Sequence, residues 1–218
     1  MTNDQKIALQ WMEMVESDKS KVRDDDIYPR LKKWAVDPGF KDILEIGCGQ
    51  GVCSKHLGLI PKNYTGIDTS EFLIERAEKL YSSPHKKFLQ AHASSLPFKN
   101  SSFDGVYLIS VMHLLEDLPL ALAEIHRVLR PEGRFLMMTA NPHAYSLWTN
   151  SYANGDLKGS RFEGRKADII ETLHLHSMDY IKENFQSAHL EIQVTEEFRN
   201  KLYLQIEGRK LGAVEASR

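Results

Sequence analysis

Residues 42–51 read DILEIGCGQG. An apolar run, Ile43-Leu44-Glu45-Ile46, carries one acid and then breaks into Gly47, Gly49 and Gly51. A short apolar run bounded by glycine reads as a strand buried on both faces, and such strands belong to parallel sheets covered by helices. One glycine suffices for a tight turn. Three strip the side chains from a length of backbone at the end of a strand, where the next helix begins with its N–H groups free. Ligands of parallel α/β sheets bind beyond the carboxyl ends of the strands. The glycines therefore predict a cradle.

The rest of the chain supplies the sheet. Segments 63–67 (NYTGI), 86–90 (KKFLQ), 103–110 (FDGVYLIS) and 134–140 (RFLMMTA) read as further strands. Helices are expected over 51–59, 68–81 and 117–130. In the second, Thr69 or Ser70 caps the start and Leu73, Ala77 and Leu80 recur at helical spacing. In the third, Pro119 sits near the start, with Leu122, Ile125 and Leu129 on one face. RPEG, 130–133, reads as a turn before the fifth strand. This alternation predicts βαβ units and a mostly parallel sheet. Segments 189–196 and 201–208 alternate apolar and polar residues and predict an antiparallel pair at the sheet edge. Between them and the fifth strand, 141–188 reads as an irregular stretch rich in Gly, Asn and aromatics, then a helix in 177–188. A long segment after a strand is expected to be a lid or binding loop.

Composition narrows the classes. A chain of 218 residues buries a full core in one domain. A formal net charge of −2 gives no field that favours nucleic acid, and Asp24-Asp25-Asp26 reads as a solvated run. The two cysteines, Cys48 and Cys53, make no disulfide framework, and the simplest compartment is a reducing cytoplasm. No zinc-type pattern joins cysteines, acids and the nine histidines, so no metal is expected. No signal-type apolar segment and no membrane-spanning run is read, so no membrane is expected.

The ligand can be narrowed from the residues. A dinucleotide fingerprint has G-x-G-x-x-G; here the spacing is G-x-G-x-G, and Val52 stands where the third dinucleotide glycine would be. Asp68 ends the second strand, where a carboxylate accepts two hydrogen bonds from ribose hydroxyls. Glu45 would repel a pyrophosphate and favour a cationic ligand. The pattern fits a nucleoside that carries a positive charge.

At this point the chain resembles the class I S-adenosylmethionine-dependent methyltransferases. ILEIGCGQG resembles their cofactor motif, and YTGIDTSEFLIERAEK, ASSLPFKNSSFDGVYLISVMHLLED and EIHRVLRPEGRFLM follow in order across roughly 40–140. The resemblance implies a Rossmann-like three-layer sandwich, with a seven-stranded, mostly parallel sheet and an antiparallel C-terminal strand. It implies one domain over 1–218, with an N-terminal helical cap at 1–36 and a lid or substrate-recognition insertion plus helix at 141–188. It further implies that Gly47, Gly49 and Gly51 line the methionine moiety and ribose of S-adenosylmethionine, with Cys48 a small filler in the same loop. Glu45 would lie near the ammonium, Asp68 on the ribose diol, and Thr69 and Ser70 beside the adenosine. His92, Ala93 and Ser94 would meet the adenine edge, although many members carry an acid where His92 stands. Ile109 and Ser110 would turn backbone carbonyls towards the ammonium.

His113, after the fourth strand, is the candidate general base; it is equally placed to be a packed histidine. His143, and His174 and His176 at alternate positions, are further candidates, though His174 and His176 read more readily as surface polar residues than as ligands. Tyr145, Trp148, Tyr152 and Phe162 could line a substrate pocket or pack a local core. Tyr28 and Trp34 could close over the cofactor. The implied reaction is in-line displacement of the methyl onto an acceptor, leaving S-adenosylhomocysteine. A small-molecule acceptor is expected, because the chain reads as the minimal fold plus one insertion and the N-P-P-Y-type tetrapeptide of amino-methylating nucleic-acid enzymes is replaced by SVMH. The alternatives are a dinucleotide-dependent oxidoreductase, or a regulatory module that binds the cofactor without turnover.

Overall fold

The computed structural model describes residues 2–17, 21–36, 40–58, 62–150, 153–158, 160–166 and 169–212. Helix α1 (Asn3–Glu16) opens with a capping box between Thr2 and Gln5. A π-helical turn, Arg23–Ile27, runs into α2 (Tyr28–Val36). Strand β1 (Asp42–Ile46) follows, then α3 (Val52–Leu57), β2 (Asn63–Asp68), α4 (Glu71–Tyr81), β3 (Lys86–Gln90) and β4 (Phe103–Ile109). After a 3₁₀ turn at Met112–Leu114 come α5 (Leu118–Val128), β5 (Leu129–Ala140), a 3₁₀ turn at Pro142–Ala144 and α6 (Tyr145–Thr149). The chain continues through β6 (Ala153–Lys158), β7 (Arg161–Lys166), β8 (Ile169–His174), α7 (Met178–Ser187), β9 (Leu190–Phe198) and β10 (Tyr203–Lys210).

Seven strands form one sheet in the order β3-β2-β1-β4-β5-β10-β9. Strands β1 to β5 pair in parallel, and β10 is antiparallel to both β5 and β9. The expected Rossmann-like sandwich with one antiparallel C-terminal strand is what forms. Strand β1 shows why its sequence was legible: Ile43, Leu44, Glu45 and Ile46 are all at most 2 % exposed. Leu44 and Ile46 join the apolar cluster under α5 and α7, and Ile43 joins the one under α2, α3 and α4. Glu45 shares the Ile43 face by the two-residue period of a strand. Burying each such Leu or Ile contributes about 1.5–3 kcal/mol.

The caps match the sequence. Ser70 Oγ accepts from the Leu73 N–H, and Asp117 caps α5 ahead of Pro119. Other details differ. Leu80 is 47 % exposed, because Leu73, Ile74 and Ala77 already fill the buried face of α4. Leu129 ends α5 and starts β5. RPEG is no separate turn but an excursion within β5, between Leu129 opposite Phe103 and Arg134 opposite Gly105. The larger difference is in 141–188: β6, β7 and β8 form a second, antiparallel sheet where irregular chain is expected. Among the described residues no helix is long and apolar enough to cross a membrane.

Candidate active site

The sheet order reverses between β1 and β4, so chain leaving their carboxyl ends diverges and leaves a crevice. The glycine loop lines it. The N–H groups of Gly47 and Cys48 both donate to the Ile67 carbonyl at 2.8 Å, which ties the loop to β2. Gly47 and Gly49 have φ of 73° and 52°, the left-handed region where a side chain is strained. A Cβ at Gly47 would run into Val111, just past β4; one at Gly49 would sit 2.8 Å from Trp11 Nε1 on α1. The loop is thus bare because the chain after β4 and α1 both close onto it.

Asp68 organises the neighbouring edge. Its Oδ2 accepts from the Gly49 N–H and its Oδ1 from the Ser70 N–H, both at 2.9 Å. The Thr69 N–H also bears on it, and a carboxylate has about four acceptor sites, so Asp68 can still accept from a further hydroxyl. Burial raises its pKa against those backbone bonds. Thr69 is held through its carbonyl by Gln90 Nε2. In the β3–β4 connection His92 is exposed with Nδ1 2.6 Å from Ser94 Oγ, and Ala93 is buried. Arg127 fixes that connection by donating to the Leu96 and Phe98 carbonyls at 2.9 and 2.6 Å. Ile109 is buried, and Ser110 takes a left-handed φ of 60° while donating its N–H to the Met138 carbonyl.

Glu45 lies beneath the loop. It is 1 % exposed and accepts hydrogen bonds from the Tyr64 hydroxyl and, at 2.8 Å, from the Tyr107 hydroxyl. Desolvation pushes its pKa up to about 7, against those hydroxyls, Cys53 and the charge of Arg23. Burial also raises Cys48 and Cys53, so neither is a thiolate nucleophile. Beside Glu45 is a small cavity of about 10 Å³, lined by Trp11, Arg23, Gly47, Gln50 and Ile109 among others.

His113 stands beyond β4 in the 3₁₀ turn, its Nδ1 3.2 Å from Thr139 Oγ1. Burial and the nearby His176 lower its pKa to about 4. His176 is buried at 4 % exposure, contrary to a surface reading, with Nε2 3.3 Å from the Leu115 carbonyl and its ring near-parallel to those of His174 and Tyr180. His143 is exposed, with Nδ1 3.6 Å from Glu197 Oε1. The Tyr145 hydroxyl is buried without a hydrogen bond among the described residues, and burial pushes its pKa to about 12. Tyr28 is 4 % exposed, stacked 3.6 Å from the His56 ring in the core that also holds Trp34. Phe162 is buried in the second sheet. Trp148 lies on α6, and Tyr152 lies outside the described residues.

The structure joins the glycine loop, Asp68 and Ser70 by hydrogen bonds and sets His113 apart beside Thr139. Sequence reasoning missed Trp11, Arg23, Gln50, Tyr64, Tyr107 and Thr139. Gln50 stood in plain view between two glycines; Arg23 was hidden at the head of an acidic run.

Fold and loop together define a Rossmann-like nucleoside-binding domain. Residues 44–137 match the family described as Methyltransferase domain. Over 140 residues the chain is 36 % identical to phthiotriol/phenolphthiotriol dimycocerosates methyltransferase of Mycobacterium leprae, covering 63 % of this chain and 52 % of that protein. Over 122 residues it is 34 % identical to fatty-acid O-methyltransferase of Mycolicibacterium smegmatis, covering 54 % and 44 %. The chain thus spans about half the length of the curated relatives it matches. The crystal structure of PH0226 from Pyrococcus horikoshii superposes with a TM-score of 0.78 at 19 % identity, covering 90 % of this chain and 93 % of that one. Over residues 44–137 the chain is thus similar to the methyltransferase domain family, and its fold is that of S-adenosylmethionine-dependent methyltransferases of known structure. The residues fit that family's cofactor. Asp68 keeps acceptor capacity for a ribose hydroxyl, the loop presents bare backbone, and the buried Gln50 Nε2 has no hydrogen bond among the described residues. Among the described residues no group of three or more His, Cys, Asp or Glu could hold a metal ion.

Proposed function

We propose that this chain transfers the methyl group of S-adenosylmethionine to a small-molecule acceptor by in-line displacement. The observation that carries the reading is the hydrogen-bonded unit of Gly49, Asp68 and Ser70 at the point where the strand order reverses. In this reading Gly47, Cys48, Gly49 and Gly51 line the amino-acid and ribose portions, and Asp68 holds the diol. Thr69, Ser70, His92, Ala93 and Ser94 flank the adenosine, and Glu45, Ile109 and Ser110 border the ammonium. Bound S-adenosylmethionine supplies a methyl on a sulfonium, which departs as a neutral thioether. No anion needs stabilising there, so the chain contributes mainly alignment and exclusion of water.

His113 meets the acceptor on the β4 side. Its low pKa keeps it neutral, so it accepts a hydrogen bond from an acceptor hydroxyl and takes the proton late, as the methyl moves. Segment 141–188 covers the acceptor and 1–36 caps the cofactor side. An acceptor with an apolar body is favoured by two relatives named for lipid and fatty-acid methylation, and by exposed Leu114 and Leu147, which follow β4 and β5. The test is release of S-adenosylhomocysteine from S-adenosylmethionine with a panel of fatty acids, long-chain alcohols and phenols. Turnover with one of these supports the reading. Turnover only with protein or nucleic acid overturns the small-molecule acceptor.

A further inference from the structure

Thr139 puts a hydroxyl where an apolar side chain is expected. It lies near the end of β5 and is 0 % exposed. By the two-residue period it shares a face with Met137, which sits in the apolar cluster under α5 and α7. A valine has the same shape, and a buried hydroxyl without a partner is costly. The partner is His113, whose Nδ1 lies 3.2 Å from Thr139 Oγ1. His113 Nε2 has no hydrogen bond among the described residues, and the residue is partly exposed. The turn that carries His113 is braced from another side as well. A carbonyl only accepts, so His176 donates from Nε2 to Leu115, which closes that turn. The His113 ring is thus held at one nitrogen and left unpartnered at the other.

We propose that Thr139 is a positioning residue for the transfer: its hydroxyl accepts from His113 Nδ1–H and so leaves Nε2 bare for the acceptor, an inference that rests on the reading of His113 above. A neutral imidazole carries one proton, and the partner of one nitrogen decides the state of the other. Without a partner the ring favours the Nε2–H tautomer, as a free histidine side chain does, and that tautomer cannot take a proton at Nε2. A hydroxyl rotates to donate or to accept, so Oγ1 can accept throughout. In the step, the acceptor O–H bond breaks and its proton goes to Nε2. The oxygen keeps that electron pair and bonds the methyl carbon, while the methyl–sulfur pair stays on sulfur. His113 then carries N–H on both nitrogens, and Oγ1 still accepts from Nδ1. That hydrogen bond strengthens as the ring gains charge, so it favours the transfer itself.

The test is proton–nitrogen NMR of the His113 ring near neutral pH with S-adenosylhomocysteine present, assigned by the loss of its signals in His113→Gln. The wild type shows Nδ1 protonated and Nε2 bare. Thr139→Val reverses the two, and Thr139→Ser restores them. With the phenol or long-chain alcohol that turns over, Thr139→Val lowers kcat about tenfold while acceptor KM and S-adenosylhomocysteine affinity hold, and Thr139→Ser recovers the rate. If Thr139→Val does not fold, the wild-type tautomer decides the matter. A wild type with Nε2 protonated, a tautomer indifferent to Thr139→Val, or a parallel loss of kcat and S-adenosylhomocysteine affinity overturns the proposal. A bare Nε2 together with an unchanged kcat in His113→Gln overturns instead the reading of His113 as the base.

Discussion

Glu45→Gln keeps the shape of a buried side chain and removes its titration. Burial lifts the carboxyl from 4.5 to about 7. Between those values the folded protein holds the proton more tightly than the unfolded chain does. The contribution to stability is therefore full below the unfolded value and is lost as pH rises through about 7. At about 1.36 kcal/mol per pKa unit, going from pH 5 to pH 8 costs the wild type about 2–3 kcal/mol through this group. For a chain of this size that is roughly 5–10 °C in Tm. The variant lacks that slope, and its amide oxygen can still accept from Tyr64 and Tyr107. Urea unfolding of both proteins across this pH range reads the difference directly, because other titrating groups are common to both. The stability difference, variant minus wild type, should grow by about 2–3 kcal/mol towards pH 8. A difference that stays flat with pH would refute the reasoning, since Glu45 would then be ionised throughout.

Gly49→Ala and Gly58→Ala separate backbone strain from contact. Both glycines have a positive φ, with Gly58 at ψ −122°, but a Cβ at Gly58 meets nothing within 4 Å, whereas one at Gly49 meets Trp11. Thermal unfolding should show Gly49→Ala costing about 1–2 kcal/mol more than Gly58→Ala; equal costs would mean α1 does not rest on the loop. For His113→Gln, steady-state kinetics with the acceptor found should show kcat falling about 100-fold while S-adenosylhomocysteine affinity stays constant. A parallel loss of affinity, or an unchanged kcat, would remove His113 from the acceptor side.

The parallel sheet was legible because each of its strands carries its own signal. Ile43 to Ile46 and Val106 to Ile109 are buried without break, as strands covered on both faces must be. The second sheet was not legible because its strands bury little. In β8 only Ile169 and Leu173 are buried, Ile170 between them is exposed, and charged residues crowd β7. In the site, the glycines and Asp68 could be read because their spacing is local. Arg23 and Trp11 reach the loop from the π-helical turn and α1, and no local pattern announces a contact of that separation. His176 read as a surface residue because its burial depends on the second sheet packing beside Leu115.

The central claim is the ligand that the three glycines and Asp68 are built to hold. Calorimetric titration with S-adenosylhomocysteine, with NADH as the competing nucleotide and Asp68→Ala as the control, tests it most directly. The account predicts binding of the nucleoside, weakened about 100-fold in Asp68→Ala through loss of charge-assisted hydrogen bonding, and no binding of NADH. Binding of NADH in its place, or nucleoside affinity indifferent to Asp68, would contradict it.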